Sequence, residues 1–391
     1  MRRVLAATAA ALVAMTMTIE GQERRVIPGP MPNLPFSAAV QADGLIYVAG
    51  ALSQDGGDIR VQTRKVLEDM DKTLRAAGSR LANVASVNVY ITRAEDFAAM
   101  NEVYRTFWTE HPPVRTTVVA DLVIPGALIE FSMIAIPDGG ERTVIHPPSW
   151  VPSTNPYSYG IKSGDTLFLA GLVSRNGRDN SVVEGDMTAQ TKTVLDNAGE
   201  ILKAAGMSYD HVVSSRVYIT DGTKFQDMNG VYRQYFTKEP PARATVIAGL
   251  MGTQYQVEIT LTAVNRPKRA IVTPQADGSP GRPSPILSSA IEVGNRLYLS
   301  GMLGNTADNK GDMEAQTRET LARIGRTLTA AGYDWHHIVD GIVYITDVAQ
   351  FDAMNRAYRS IFAKDFPARA TVRSGLVAAD GLVEIMFVAV K

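Results

Sequence analysis

The amino-acid sequence predicts an α+β fold made three times over: three tandem ββαβαββ domains that close on one another as an intramolecular pseudo-trimer. Three observations lead there. The string Val-Tyr-Ile-Thr begins at Val89, Val217 and Val343, returning after 128 and then 126 residues. Gln62-Thr63, Gln190-Thr191 and Gln316-Thr317 open helical patterns that end in Ala-Ala-Gly at Gly78, Gly206 and Gly332. Met100-Asn101, Met228-Asn229 and Met354-Asn355 follow, each with a tyrosine three residues on at Tyr104, Tyr232 and Tyr358. A period this long exceeds that of stacking repeats, so each copy is a domain in its own right. The copies fall at 26–137, 151–266 and 282–391, joined by polar segments such as Pro137-Asp138-Gly139-Gly140 and the stretch from Pro274 to Pro285.

Ahead of the first domain, Arg2 and Arg3 precede a charge-free run from Val4 to Thr18, and Glu20-Gly21-Gln22 then turns polar. That is the shape of a secretory signal peptide over residues 1–25, which predicts an exported protein, periplasmic or secreted; if the segment is only a tail, the protein stays cytoplasmic. The run is too short for a comfortable membrane span. Within the first copy, Ser37 to Gln41 and Leu45 to Leu52 flank Asp43-Gly44 as a hairpin. Val66, Met70, Leu74 and Ala77 recur at helical spacing, with Gly78 placed to end the helix. Val84 to Thr92 is β-branched and strand-like, and Phe97, Met100, Tyr104 and Phe107 mark one face of a second helix. Thr116 to Ala120 and Ala127 to Ile136 complete an antiparallel sheet with both helices on one side. The uncovered side is partly apolar, and a closed three-fold arrangement buries all three such faces at once.

The composition, 45% hydrophobic and 20% charged, is that of a soluble globular protein and excludes the disordered and fibrous classes. Lys plus Arg (39) nearly equals Asp plus Glu (40), so the basic surplus of a nucleic-acid binder is missing. No cysteine is present, which excludes disulfides, thiolate catalysis and sulfur-ligated metals. His111, His146, His211, His336 and His337 show no ligand spacing, and the adjacent pair reads as a solvated junction. No metal and no cofactor is expected.

Three residues disagree with their surroundings. Glu130, Glu258 and Glu384 each stand inside an apolar strand pattern, where a carboxylate is costly unless it is paired or lines a cavity. Fifteen residues upstream lie Arg115, Arg243 and Arg369, each two after a proline and two before a threonine (Thr117, Thr245, Thr371). Two readings are open. Each arginine neutralises a glutamate as a structural ion pair, or its rigid fork binds a substrate carboxylate while the glutamate handles a water.

Pro-x-Arg-x-Thr, a strand glutamate fifteen later, Phe-x-x-Met-Asn-x-x-Tyr, and Ala-Gly or Ser-Gly after the first hairpin together resemble the RidA (YjgF) family of imine/enamine deaminases, three times along the chain. The resemblance implies a fold like trimeric chorismate mutase, with a ligand pocket at each of three clefts, and one chain as a fused, monomeric version of the trimer. It implies a small carboxylate-bearing substrate, with no nucleic-acid partner and no membrane once the signal is removed. Arg115, Arg243 and Arg369 then bind the carboxylate, with Thr117, Thr245 and Thr371 beside them, and Glu130, Glu258 and Glu384 orient water. Asn101, Asn229 and Asn355 match the pocket asparagine, although a helix-surface amide is the other reading. The family's pocket tyrosine matches Phe36, Tyr157 and Leu287, and its serine matches Ala49, Ala170 and Ser300. The implied reaction is hydrolytic deamination of 2-imino or 2-aminoacrylate-type acids to 2-oxo acids and ammonium, without a cofactor. The alternative is a non-catalytic carboxylate-binding or chaperone-like protein using the same clefts.

Overall fold

A computed structural model describes residues 24–29, 34–362 and 364–391. Most of the expected signal segment, residues 1–23, therefore lies outside the described residues. In the first domain Asp43 and Gly44 take positive φ of 45° and 74°, the pair a tight twisted hairpin needs. They join strands Ala39–Ala42 and Leu45–Leu52. Helix α1 (Ile59–Ala76) starts where the Asp58 carboxylate accepts the Val61 N–H at 3.0 Å. It buries Val66, Leu67, Met70 and Leu74 against the sheet, and Gly78 ends it in the left-handed region at φ 79°. Helix α2 (Phe97–Phe107) then crosses the same face. Helices α3 (Met187–Ala204) and α4 (Phe225–Tyr235) repeat the pair in the second domain, and α5 (Met313–Ala331) and α6 (Phe351–Arg359) in the third.

Each domain contributes a sheet, and the sheets depart from expectation in three ways. They are mixed: Val84–Ile91 pairs antiparallel with Ile129–Ala135 but parallel with Val114–Val119, because α2 provides the crossover a parallel pair requires. Short strands ahead of residues 151 and 282 also join the second and third sheets. Thr143–Ile145 pairs with Gly160–Ser163, and Lys268–Ile271 with Ala290–Val293. Such short edge strands carry too few residues for a period to register.

The third departure closes the molecule. Gly249–Leu250 of the second domain pairs with Val118–Val119 of the first, Gly375–Leu376 of the third with Val246–Ile247 of the second, and Asp121–Leu122 of the first with Val372–Arg373 of the third. Every domain lends one short strand and borrows another, so the three form a ring. On its axis Tyr90, Tyr218 and Tyr344, the tyrosines of the repeated string, are fully buried, and the hydroxyls of Tyr218 and Tyr344 lie 3.1 Å apart. Val118, Val246 and Val372 pack around them. Beside the tyrosines is a cavity of about 70 Å³ lined in part by Asn88, Arg216 and Asp340. Among the described residues no helix is long and apolar enough to cross a membrane.

One guanidinium ties all three domains. Arg296 of the third pairs with the Asp43 carboxylate of the first at 2.7 Å and donates to the Thr166 hydroxyl of the second at 2.7 Å. Arg296→Ala removes both joins and leaves Asp43 without its cation. Urea titration should show a loss of about 2–4 kcal/mol in unfolding free energy; a change below about 0.5 kcal/mol would mean that the ring does not lean on this contact.

Candidate active site

Each arginine sits near the start of a strand that follows a proline: Val114–Val119, Ala242–Ile247 and Ala368–Arg373. All three arginines are at most 3% exposed. The short helix of the same domain supplies a bed of aromatic rings. The Arg115 guanidinium lies 4.8 Å from the Tyr104 ring centre and 5.4 Å from Phe97. Arg243 stands 4.6 Å from Tyr232 and 5.7 Å from Phe225, and Arg369 stands 4.6 Å from Tyr358 and 5.8 Å from Phe351. The phenylalanine and tyrosine are two helical turns apart and so share a face, where their π-clouds attract the cation. In the sequence these rings stand out as a helix face and as part of a motif, not as a bed for the arginine.

The asparagines lie on those same helices and are 3–6% exposed, so the surface-amide reading does not hold. Asn229 Oδ1 accepts from Arg243 Nη2 at 2.8 Å, and Asn101 Nδ2 donates to Asn155 Oδ1 of the second domain at 3.4 Å. Among the described residues, Oδ1 of Asn101 and Asn355 have no partner.

The glutamate facing each arginine comes from another domain. Arg115 and Glu130 stand on strands that flank Val84–Ile91 and serve different clefts. Glu258 Oε1 accepts the Thr117 N–H at 3.4 Å and feels the charge of Arg115. Glu384 is held in the same way by Thr245 and faces Arg243, and Glu130 is held by Thr371 and faces Arg369. The ring thus makes three clefts: Arg115 with Glu258, Arg243 with Glu384, and Arg369 with Glu130. Glycine makes room for each carboxylate, since a Cβ at Gly50, Gly171 or Gly301 would overlap Oε1 of Glu130, Glu258 or Glu384.

The arginines are not used up in neutralising these glutamates. Nη1 of Arg115, and Nε and Nη1 of both Arg243 and Arg369, have no hydrogen-bond partner among the described residues. Buried donors left open in this way suit a ligand that accepts from them. Burial lowers all three arginines, with Arg369 reaching about 10, which still leaves the guanidinium cationic at neutral pH. Burial also pushes Glu130, Glu258 and Glu384 up to about 8, opposed first by the threonine N–H and then by the facing arginine. Burial thus favours the protonated form of each carboxyl, and in that form it can donate.

The rest of the expected set divides. Tyr157 reaches the Arg115–Glu258 cleft and feels both charges; burial raises its hydroxyl, while a bond to Ser153 and the charge of Arg115 lower it. Phe36 stands 5.8 Å from the Arg369 guanidinium in the corresponding place. Ser300 is engaged by backbone: its hydroxyl donates to Ser288 O at 2.6 Å and accepts the Arg243 N–H at 2.8 Å, so it steadies the arginine and has no second proton to offer. The hydroxyls of Thr245 and Thr371 have no partner among the described residues. Sequence reasoning missed Ser37 and Ser158, whose hydroxyls donate at 2.6 Å to Phe366 O and Pro112 O, just ahead of the neighbouring domain's arginine. The signal was there, as a serine recurring at Ser37, Ser158 and Ser288. Asp334, His336 and His337 cluster at the surface, but Asp334 Oδ1 accepts the His336 N–H and His337 Nδ1 accepts the Asp334 N–H, which caps a helical turn.

The raised carboxyls have a thermodynamic consequence. The folded chain keeps these protons over a range in which the unfolded chain releases them, so stability is lost as pH rises from the ordinary glutamate value toward about 8. Chemical denaturation between pH 5 and 8 should show this fall, and Glu→Gln at Glu130, Glu258 and Glu384 together should flatten it. An unchanged slope in the triple variant would mean that the carboxyls are ionised throughout.

The profile of the family described as Endoribonuclease L-PSP matches residues 27–137, 149–265 and 282–391. A RutC family protein of Sulfurisphaera tokodaii is 42% identical over 106 residues, which is 27% of this chain and 85% of that protein. Protein DfrA of Myxococcus xanthus is 35% identical over 126 residues, 32% of this chain and 96% of that one. Among solved structures, a YjgF family member from Neisseria meningitidis is 32% identical and covers 29% of this chain and 95% of its own, with a TM-score of 0.28. A chorismatase shares 14% identity and superposes over 88% of this chain and 99% of its own at a TM-score of 0.52, a likeness of fold. With its profile matched three times over nearly the whole described length, the chain belongs to the Endoribonuclease L-PSP family, in which its relatives include RutC family proteins.

Proposed function

We propose that the three clefts hydrolyse 2-imino acids, and the 2-aminoacrylate-type enamines that tautomerise to them, to 2-oxo acids and ammonium. The observation that carries this reading is an arginine with open donors facing a buried carboxyl across a domain boundary. The guanidinium fork takes the substrate carboxylate through two N–H bonds. The glutamic acid gives its proton to the imine nitrogen, which makes C2 of the substrate strongly electrophilic. The carboxylate so formed accepts a proton from water as the water oxygen bonds to C2. That proton passes to the nitrogen of the carbinolamine, the C–N bond breaks, and ammonia leaves as the hydroxyl gives its proton back to the carboxylate and the C=O forms; the ammonia then takes a proton from solvent to become ammonium. Little is asked of the protein beyond proximity, orientation and one proton held at the right acidity. The balance of 39 basic against 40 acidic residues speaks against a ribonuclease here.

One chain is then the working unit, with three clefts that differ at the position beside the arginine. Tyr157 places a phenol there, whereas Phe36 and Leu287 have no hydroxyl. A hydrogen bond to the reacting group is worth about one to a few kcal/mol, or roughly ten- to a few hundred-fold in rate. With the imine of alanine generated in situ and ammonium release followed, Tyr157→Phe should remove most turnover, and single Arg→Ala changes at Arg115, Arg243 and Arg369 should have unequal effects. If each arginine change took about a third of the rate and Tyr157→Phe took none, the phenol would be irrelevant. If no arginine change altered turnover, the deaminase reading would fall.

A further inference from the structure

The clefts differ most in what lies behind them. Around Arg369 and Glu130 the described residues of the first domain leave a largely apolar hollow of about 780 Å³, the cleft included. It opens from the cleft at Phe36, runs along strand Leu45–Leu52 and ends on Met70 and Thr73 of α1. In the second domain the residues behind Tyr157 line a separate small hollow of about 20 Å³ that does not reach Arg115 or Glu258.

The sequence accounts for this contrast position by position. Two residues beyond Phe36 stands Ala38; two beyond Tyr157 stands Tyr159. The Tyr159 ring packs edge-on against Trp150 at 4.8 Å and Tyr157 at 5.9 Å, and its hydroxyl donates to Val151 O at 3.1 Å. Thr73 on the wall of the hollow becomes Ile201, which is fully buried. The link between hairpin and long helix, residues 53–58 in the first domain, lengthens to residues 174–186 in the second. There Arg175 and Val182 pair, and Asn197 of α3 draws the link inward by donating to Arg175 O at 2.6 Å. In the third domain hydrogen bonds cross the corresponding place. Thr327, the counterpart of Thr73, lies 2.6 Å from the Thr273 hydroxyl, and Arg326 donates to Pro274 O at 3.2 Å.

We propose that the Arg369–Glu130 cleft takes 2-imino acids with a large apolar side chain, aromatic or long and branched, while the other two clefts are confined to short side chains. The proposal rests on the imine-hydrolysis reading of the same cleft and names its substrate class. Once Arg369 holds the carboxylate and Glu130 faces the imine, the side chain at C3 and beyond has to leave the cleft. In the first domain it enters a space large enough for an aromatic ring, whose apolar surface is then removed from water. In the second domain the same path meets Tyr159 and Trp150.

Binding decides the proposal separately from turnover. Calorimetry on the full chain would compare phenylpyruvate and pyruvate, stable 2-oxo acids that share the carboxylate and differ in the side chain. Arg369→Ala should abolish phenylpyruvate binding, and Arg115→Ala should leave it in place. Ala38→Tyr, which introduces the ring of the second domain, should lower the ratio of phenylpyruvate to pyruvate affinity at least tenfold; Thr73→Ile serves the same purpose should Ala38→Tyr fail to fold. A ratio within twofold of the parent in a folded variant would overturn the proposal, as would loss of phenylpyruvate binding through Arg115 rather than Arg369, or no phenylpyruvate binding at all. If phenylpyruvate binds as described but imines of phenylalanine and alanine are hydrolysed no faster than in buffer, the deaminase reading falls and the size preference stands. If imines are hydrolysed but Ala38→Tyr leaves the preference for the phenylalanine imine unchanged, the size preference alone falls.

Discussion

In each domain the strand that carries the arginine is the last of its own sheet, and its outer edge presents unpaired N–H and C=O groups. Such an edge is an open template for another strand. Here it is covered by two residues borrowed from a neighbouring domain, and the three joins run in the same rotational sense until the ring is complete. Closure satisfies all three edges at once, which an open chain of domains would not do. The same rotation gathers Tyr90, Tyr218 and Tyr344 on the axis and brings each glutamate beneath the neighbouring arginine strand. The clefts are therefore a product of the joins: no domain by itself holds an arginine and the glutamate that faces it.

Fusion into one chain also frees the axis from symmetry. The position of Arg216 is Asn88 in the first domain and Ile342 in the third, and that of Asp340 is Ser86 and Ser214. Three arginines converging on one small cavity would repel one another. With a single arginine among tyrosine hydroxyls and one aspartate, the cation is favoured despite its burial, and Asp340 is pushed up to about 6 by burial against the pull of Arg216. The same freedom appears at the clefts, where Phe36, Tyr157 and Leu287 occupy equivalent places and the first domain opens into a deep hollow.

Much of this was legible beforehand, for physical reasons that can be named. The Asp43-Gly44 turn, the apolar stripe of α1 and its stop at Gly78 each carry local chemistry that admits few alternatives, and the helix stop recurs at Gly206 and Gly332. Glu130, Glu258 and Glu384 stood out because a carboxylate inside an apolar strand has to be explained. What escaped was non-local. The fifteen-residue spacing of Arg115 and Glu130 suggests partners, yet one intervening strand separates them and the true partner of Arg115 is Glu258, far along the chain. The parallel pairing of Val84–Ile91 depends on a crossover, and the borrowed strands are two residues long, below any period. Ser300 resembled a ligand contact because residue type alone does not reveal that its proton goes to Ser288 O.

The central claim is that each site is shared between neighbouring domains in one fixed rotation. It can be read without any substrate, from the titration of the three buried glutamates by carboxyl carbon NMR. Glu258 feels Arg115, and Glu130 feels Arg369. Removing the charge with Arg115→Gln should raise the titration midpoint of Glu258 above its starting value of about 8 and leave Glu130 where it was. A shift in Glu130 with Glu258 unmoved would contradict the account, since it would pair each arginine with the glutamate of its own domain.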